Sequence, residues 1–323
     1  MSAFALSVVL VASNGYKEVA TTLRHLRAQT IATQIELVIV APQADHFQVP
    51  TEQAGELGKI SIIEVPEVVS LAVARAAGVA GSSARYVAFA EDHSFPEPTW
   101  AAALVAAHER GYAGIAPEMK NGNPGTALSW AAMFLHFGGV VEPTNGYESD
   151  WPAASHNMSY RRDALLELGD QLSELMLAEL FLHRALRARG HKFWIEPSAA
   201  THHVNSSRLA PALRHAWLGG RLYGGLRSRF DSWSFARRII YAGGSVLIPL
   251  LRLRRVIPEI RRTRVGAGLL PRVLPAMVAI LITHAAGEAA GYLFGIGGTR
   301  AGYSELETRR HRFVRAEERA LWT

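Results

Sequence analysis

Short apolar runs rich in branched residues alternate with amphipathic segments along the N-terminal part of the chain. The apolar runs have the length and composition of buried strands, and we predict four of them, at Leu6–Ala12, Glu36–Val40, Ile60–Val65 and Tyr86–Ala90. Apolar residues recur at helical spacing in the segments Tyr16–Gln29 and Val69–Val79. Strands and helices in this order are typical of βαβ units, so the sequence predicts an α/β fold with a mostly parallel central sheet.

The same alternation continues toward residue 206. We predict further strands at Tyr112–Pro117 and Phe193–Pro197, and further helices at Thr99–Arg110, Ser129–Phe137 and Leu175–Gly190. An extended segment, His156–Tyr160, precedes a helix that begins near Asp163. Residues 1–206 are therefore predicted to form the α/β domain.

The sign of the net charge changes along the chain. The protein has 323 residues and a formal net charge of +6. Residues 207–323 contain 20 arginines, no lysine and 7 acidic residues, a balance of +13, so residues 1–206 have a balance of −7. We predict an acidic α/β domain over residues 1–206 and a helical, arginine-rich appendage over residues 207–323 that faces an anionic surface.

Two apolar segments of this appendage are flanked by arginines. One lies within Arg237–Arg264, and the other, Leu269–Leu293, has an uncharged core at Val273–Gly287 that includes Pro275. This core is shorter than the roughly 20 residues that span a bilayer. We expect helices that lie on an anionic membrane without crossing it, and the alternative is an ordinary helical subdomain packed on the α/β domain. No nucleic-acid-binding module is recognisable, so nucleic acid is not an expected partner.

Cysteine usage and the N-terminus bear on the compartment. The chain has no cysteine, which excludes disulfides and thiolate metal sites and permits a reducing cytosol. The first residues lack a basic segment before the apolar run, so we predict no signal peptide. The expected location is the cytoplasmic face of a membrane, as a peripheral or monotopic protein, with the cytoplasm as the alternative.

Three polar residues follow the strand at Tyr86–Ala90. They are Glu91, Asp92 and His93, and Pro96 and Pro98 come soon after them. An apolar strand that ends on adjacent carboxylates places them at the carboxyl edge of a sheet, where open α/β folds bind ligands. Oxygen ligands there suit Mg²⁺ or Mn²⁺, and the alternative is a solvated turn. No G-x-G-x-x-G follows the first strand and no P-loop motif is present, which disfavours a dinucleotide dehydrogenase and a P-loop NTPase.

Five segments in sequence order resemble those of family 2 glycosyltransferases of the GT-A fold. The turn at Asn14 resembles the family's T-x-N turn, and Leu71–Gly78 resembles its A-R-N-x-G helix. Glu91-Asp92-His93 stands at the position of the family's D-x-D motif. The segments His156–Arg162 and Ala178–Gly190 are similar to G-x-N-M-A-Y-R-R and to E-D-x-x-L-x-x-R-L-R-R-x-G.

The resemblance implies roles for individual residues. The residues expected at the nucleotide-sugar donor are Ala12, Ser13, Asn14, Arg75, Glu91, Asp92 and Arg221. Those expected at the acceptor are His156 and Asn157, and the expected catalytic base is Glu179. The expected metal ligands are Asp92, with Glu91 or His93 assisting, and His203. Each has a structural alternative: a turn or helix cap for Asp92, an internal salt bridge for Arg75, an ion pair with Arg184 or Arg187 for Glu179, a surface pair with His202 for His203, and one more basic-tail residue for Arg221.

The resemblance thus implies a metal-assisted, inverting glycosyltransferase of the hexosyltransferase kind. It would use Mg²⁺ or Mn²⁺ and a nucleotide-sugar donor, act on a glycan, a lipid-linked or another acceptor, and serve glycan biosynthesis. One departure favours a different class of function. Ala41-Pro42 stands where the family usually has two aspartates that hold the nucleotide, and Asp45 is too far along the chain to replace them. The alternative is therefore a GT-A-like module that binds a glycan or a partner without transferase activity.

Overall fold

The computed structural model describes residues 3–13, 15–42, 47, 56–65, 70–143, 145–150 and 157–322, and it divides into two compact units. Unit 1 comprises Met1–Gly122, Gly139–Val204 and Arg319–Thr323, and unit 2 comprises Asn123–Gly138 and Asn205–Glu318. Residues 123–138 thus group with the C-terminal helices, and residues 319–323 group with the α/β unit. The functional division after residue 206 stays a prediction.

Unit 1 contains a sheet formed, among the described residues, by nine strands: β1 Leu6–Val11, β2 Ile35–Ala41, β3 Lys59–Glu64, β4 Tyr86–Ala90, β5 Ser94–Pro96, β6 Gly114–Asn121, β7 Tyr147–Glu148, β8 Ser159–Arg161 and β9 Phe193–His203. Their order is β3-β2-β1-β4-β8-β6-β9-β5, with β7 paired to β9. The pairs among β1 to β4 and the pair β6–β9 are parallel, and the remaining pairs are antiparallel. The predicted α/β fold is confirmed.

The helices of unit 1 cover the apolar faces of these strands. They are α1 Tyr16–Arg27, α2 Leu71–Gly81, α3 Trp100–His108, α5 Arg162–Leu166, α6 Leu172–Leu175 and α7 Glu179–Arg187, with 3₁₀ turns at Ala32–Gln34 and Gly169–Gln171. In α2, a Cβ atom on Gly78 would lie 2.3 Å from a methyl carbon of Val9 in β1. Only glycine therefore lets α2 approach the sheet this closely.

Two predicted boundaries in unit 1 are wrong. The helix predicted at Leu175–Gly190 begins at Glu179, because Ala178 has an extended backbone. The strand predicted to stop at Pro197 continues to His203, because the pairing between β6 and β9 shifts its register next to Pro117 and resumes beyond Pro197. A proline is tolerated in a strand at such an irregularity.

Unit 2 is helical, as predicted for most of residues 207–323. Its helices are α4 Ala127–Phe137, α8 Leu209–Phe230, α9 Phe235–Gly244, α10 Ile248–Arg262, α11 Gly266–Phe294 and α12 Thr299–Thr308. Shorter 3₁₀ segments are Gly138–Val140, Ser245–Leu247, Arg310–Arg312 and Ala316–Trp322, the first and last of which cross a boundary between the units.

The expectation that no apolar run is long enough to span a membrane is wrong on length. Helix α11 has 29 residues and continues through Pro271 and Pro275. At 1.5 Å per residue it is about 43 Å long. Of the described helices, α11 alone is long and apolar enough to cross a bilayer by length and composition, and 28% of its apolar window is buried within the protein.

Candidate active site

The three polar residues after β4 occupy a buried turn at the carboxyl edge of the sheet. Glu91 is 5% exposed, Asp92 4% and His93 0%. Strand β5 begins at the next residue and pairs antiparallel with the end of β9, with Ser94 opposite His203. This pairing brings His203 to the turn, although 110 residues separate it from His93 in the sequence.

Glu91 is held from two sides. Its Oε1 atom lies 3.2 Å from Nη2 of Arg75, and its Oε2 atom accepts hydrogen bonds from Nδ2 of Asn157 at 2.9 Å and from Oγ of Ser94 at 3.3 Å. Arg75 is 4% exposed. The structure therefore gives Arg75 an internal salt bridge and gives the Asn157 amide to Glu91. Their predicted contacts with donor and acceptor stay predictions.

The Asp92 carboxylate is hydrogen-bonded to the imidazole of His93. Oδ1 of Asp92 and Nδ1 of His93 are 2.6 Å apart. A carboxylate only accepts hydrogen bonds, so Nδ1 of His93 holds the proton and donates it. In the neutral form of imidazole, a proton on Nδ1 leaves the lone pair on Nε2. This carboxylate–histidine contact is the one that orients histidine ligands in metal sites.

Glu91, His93 and His203 form the cluster in the described part of unit 1 that can hold a metal ion. Their ligand atoms lie within 4.8 Å of one another, and Oε2 of Glu91 is 3.6 Å from Nε2 of each histidine. Ligand atoms about 2.1 Å from a shared ion are about 3–3.5 Å apart, so small movements would complete the coordination. The sequence prediction chose Asp92 and His203. It gave Glu91 or His93 only an assisting role, although the D-x-D spacing puts these two residues at the motif's two acidic positions.

Glu179 is the first residue of α7 and is half-buried. Nearby, the Tyr160 hydroxyl and Nε2 of His183 are 2.9 Å apart. Burial, and then the Glu179 charge, raise the pKa of Tyr160 well above its usual value. Burial lowers the pKa of His183 to about 4, against the Glu179 charge. Tyr160 therefore donates to a neutral His183, and the Glu179 carboxylate lies close enough to influence both groups.

The other residues predicted to bind the substrates follow β1, lie in unit 2 or fall outside the described residues. Ala12 follows β1, is buried, and its N–H donates to the Val40 carbonyl at 2.9 Å, while Ser13 is half-buried. Asn14, His156 and Asp45 lie outside the described residues. In unit 2, Nε of Arg221 donates to the Gly295 carbonyl at 3.1 Å, at the C-terminal end of α11.

Trp322 is a residue of the site that the sequence did not indicate. Its Nε1 donates to the Asp92 carbonyl at 2.8 Å, and its ring contacts Phe95 edge-on at 6.3 Å between centroids. Both partners belong to unit 1. Because 230 residues separate Trp322 from Asp92, no local pattern could have revealed this contact.

Comparison with known proteins adds to this geometry. Residues 7–169, half of the chain, match the family model described as Glycosyl transferase family 2. The chain belongs to glycosyltransferase family 2. The predicted family and GT-A-type fold are confirmed. The match contains Glu91, Asp92 and His93 and ends before Glu179 and His203, and the roles of all five residues stay predictions.

One solved structure matches most of the length of this chain. The crystal structure of S. aureus TarS matches 88% of this chain and 55% of its own, with 17% sequence identity and a TM-score of 0.43. The chain therefore spans about half of the length of that structure. A comparison with curated proteins gives no match.

Proposed function

We propose that this glycosyltransferase transfers a hexose from a nucleotide-sugar donor to an acceptor hydroxyl, with metal assistance and inversion at the anomeric carbon. The observation that supports it most is the cluster of Glu91, His93 and His203 at the carboxyl edge of the sheet. The acceptor class is a glycan or a lipid-linked or other hydroxyl compound, and the pathway is glycan biosynthesis.

The donor atoms of the cluster fit a metal ion. Two imidazole nitrogens and one carboxylate suit transition metals better than Mg²⁺, which prefers oxygen ligands, so of the two expected ions we favour Mn²⁺. When bound, the ion would neutralise charge on the leaving diphosphate. Arg75 would hold the Glu91 carboxylate in place, and Asp92 would keep Nε2 of His93 unprotonated and directed at the cluster.

The other residues would bind and activate the substrates. Ala12, Ser13 and Asn14, after β1, would bind the nucleotide, and His156 and Asn157 would face the acceptor. Arg221 stays a proposed diphosphate contact. Glu179 would accept the proton of the attacking hydroxyl on its carboxylate, and because the acceptor oxygen attacks directly, the sugar would be inverted. At the first residue of α7 this carboxylate is half-buried and is stabilised by the helix dipole.

A panel of nucleotide sugars tests the proposal. With the full chain and excess Mn²⁺, one donor should be hydrolysed slowly in the absence of acceptor, and Mg²⁺ should support a lower rate. His203→Ala should lose the Mn²⁺-dependent hydrolysis. The control His202→Ala, which changes the half-exposed neighbouring ring, should keep it. Hydrolysis that is equally fast in EDTA would refute the metal-assisted reaction.

A binding module without turnover is the second candidate. It is favoured by the end of β2, where buried Ala41 and Pro42 offer no carboxylate to the nucleotide. Calorimetry on the same panel separates the two. Donor binding with no hydrolysis and no transfer to any acceptor would favour the module.

We also propose that residues 207–323 bind an anionic membrane surface from the cytoplasmic side. The support is the +13 balance of that region, together with exposed apolar side chains in unit 2. Arginine–headgroup attraction is screened by salt, so high salt should weaken binding to vesicles without full release.

A further inference from the structure

The segment from α9 to α10 exposes a row of large apolar side chains. Helix α9 has no buried residue. Seven large apolar residues within 17 positions are between 49% and 77% exposed: Phe235, Ile239, Ile240, Val246, Leu247, Leu250 and Leu251. Their spacing of four and five residues places them on one side of each helical stretch. We name these seven residues the α9–α10 apolar surface.

The charged residues within this segment have a single sign. Residues 232–258 contain five arginines and no aspartate, glutamate, lysine or histidine. Arg237, Arg254 and Arg255 are exposed. Soluble proteins seldom expose so many large apolar residues together. An exposed apolar segment whose own charged residues are all cations is complementary to a bilayer with anionic headgroups.

The two remaining arginines of the segment fix it to unit 2. Nη2 of Arg238 donates to the Leu293 carbonyl at 3.0 Å, and its Nε donates to the Tyr292 carbonyl, both at the end of α11. Nη2 of Arg252 donates to the Leu135 carbonyl of α4 at 2.8 Å. The apolar side chains are therefore presented by a braced segment.

Helix α11, the helix long enough to span, packs along one side against α8. A Cβ atom on Gly220 or Gly224 of α8 would lie 2.2 or 2.3 Å from a carbonyl oxygen of α11. A Cβ atom on Gly287 or Gly291 of α11 would lie 2.3 Å from a carbonyl oxygen of α8. Both helices thus use a G-x-x-x-G pair for backbone contact.

Its partner α8 is unsuited to hydrocarbon. His215 of α8 and Glu307 of α12 are 2.5 Å apart, and Arg214 pairs with Glu305 at 3.0 Å. Moving α11 across a bilayer would require either bringing these groups into the membrane or breaking the glycine contacts. The α9–α10 apolar surface groups seven exposed large apolar residues, whereas α11 exposes Ile282 and Phe294 singly.

We infer that the α9–α10 apolar surface inserts into one leaflet of an anionic phospholipid bilayer, with Arg237, Arg254 and Arg255 in the headgroup layer. The inference rests on the proposed membrane binding of residues 207–323 and names the residues that insert. It also makes the attachment monotopic, because α11 keeps its glycine contacts with α8.

Flotation of the full chain with vesicles of phosphatidylcholine, with and without 30% phosphatidylglycerol, tests the inference. The triple variant Ile240→Ser, Val246→Ser and Leu250→Ser should partition roughly 100-fold or more less strongly than wild type. Changing Arg237, Arg254 and Arg255 to Gln should cost about fivefold per arginine on anionic vesicles only. The matched control is Val73→Ser, Leu166→Ser and Leu209→Ser, which removes exposed apolar groups elsewhere and should float like wild type.

A labelled variant measures insertion without removing apolar groups. Since the chain has no cysteine, Val246→Cys takes a single environment-sensitive fluorophore. Its emission should shift to the blue on anionic vesicles, while the same label on Val73→Cys should not respond.

Each outcome has a separate meaning. If wild type floats and the serine variant floats equally, or the Val246 label does not respond, the inference is overturned and membrane binding itself survives. If wild type floats with neither kind of vesicle, both fail. If wild type sediments as a dimer that the serine variant abolishes, a second copy covers the surface and the inference fails. Glycosyl transfer is assayed apart, on a detergent-solubilised acceptor.

Discussion

Replacing Asp92 by Asn tests whether Asp92 is itself a metal ligand or a residue that orients the ligand His93. In the structure, Oδ1 of Asp92 accepts from Nδ1 of His93 at 2.6 Å, and the metal-binding cluster is Glu91, His93 and His203. The asparagine side chain has nearly the same volume as aspartate and can still accept this hydrogen bond. It lacks the charge that favours the Nδ1–H tautomer and strengthens the ring as a ligand.

The expected magnitude follows from that role. Removing a carboxylate behind a histidine ligand typically lowers metal affinity by about 10–100-fold, which is about 1.4–2.7 kcal/mol. Asp92→Asn should therefore keep transfer at saturating Mn²⁺ and shift the Mn²⁺ activation curve by that factor. Glu91→Gln should behave differently. It removes a ligand and leaves the buried Arg75 guanidinium without its anion, a change that costs about 3–5 kcal/mol in folding stability.

The assay is transfer rate against Mn²⁺ concentration, with calorimetric Mn²⁺ titration and urea unfolding of each variant. Asp163→Asn is a matched control, because the exposed Asp163 carboxylate pairs with Arg161 away from the cluster. An Asp92→Asn enzyme that stays inactive at every Mn²⁺ concentration, while folded, would make Asp92 the direct ligand that the sequence alone predicted. An unchanged activation curve would show that the contact with His93 has no part in metal binding.

Three further predictions concern other residues. Glu179→Gln should keep Mn²⁺-dependent donor binding in calorimetry and lower kcat by about 10²–10⁴-fold; near-normal kcat would move the base elsewhere. Trp322→Phe keeps an aromatic ring against Phe95 but loses the hydrogen bond to the Asp92 carbonyl. It should lower the free energy of unfolding in urea by about 1 kcal/mol and weaken activation by Mn²⁺. An unchanged Mn²⁺ activation curve would leave Trp322 a purely structural role. Burial holds the pKa of His183 at about 4, below the 6.5 of an exposed histidine, so the unfolded chain binds more protons between these pH values. The free energy of unfolding should therefore fall as the pH is lowered from 6.5 to 4, by at most about 3 kcal/mol for this residue. His183→Gln should flatten this pH dependence, and a dependence identical to wild type would contradict the prediction.

Local patterns were sufficient to predict most of unit 1. Strands β1, β2 and β4 are buried, and their apolar runs are long enough to be recognised without any tertiary information. The helical spacing of Val19, Leu23 and Leu26 likewise identifies the buried face of α1. In unit 2, by contrast, composition predicted helices but could not reveal that α11 continues through two prolines. The glycine contacts between α8 and α11 determine what surrounds α11. Such contacts depend on both helices, so the sequence of one segment does not reveal them.

The site itself depends on one non-local pairing. Strand β5 is three residues long and ends in Pro96, so neither its length nor its composition distinguishes it from a turn. Only its register with β9, which sets Ser94 opposite His203, places the second imidazole against Glu91. The sequence prediction placed Asp92 at the metal because it lies within the position of the family's D-x-D motif. The structure instead orders the three residues by direction: Glu91 and His93 face His203, and Asp92 supports His93 from behind. A D-x-D position can therefore keep its geometry with Glu and His in the two acidic places, provided that an adjacent carboxylate fixes the tautomer of the histidine.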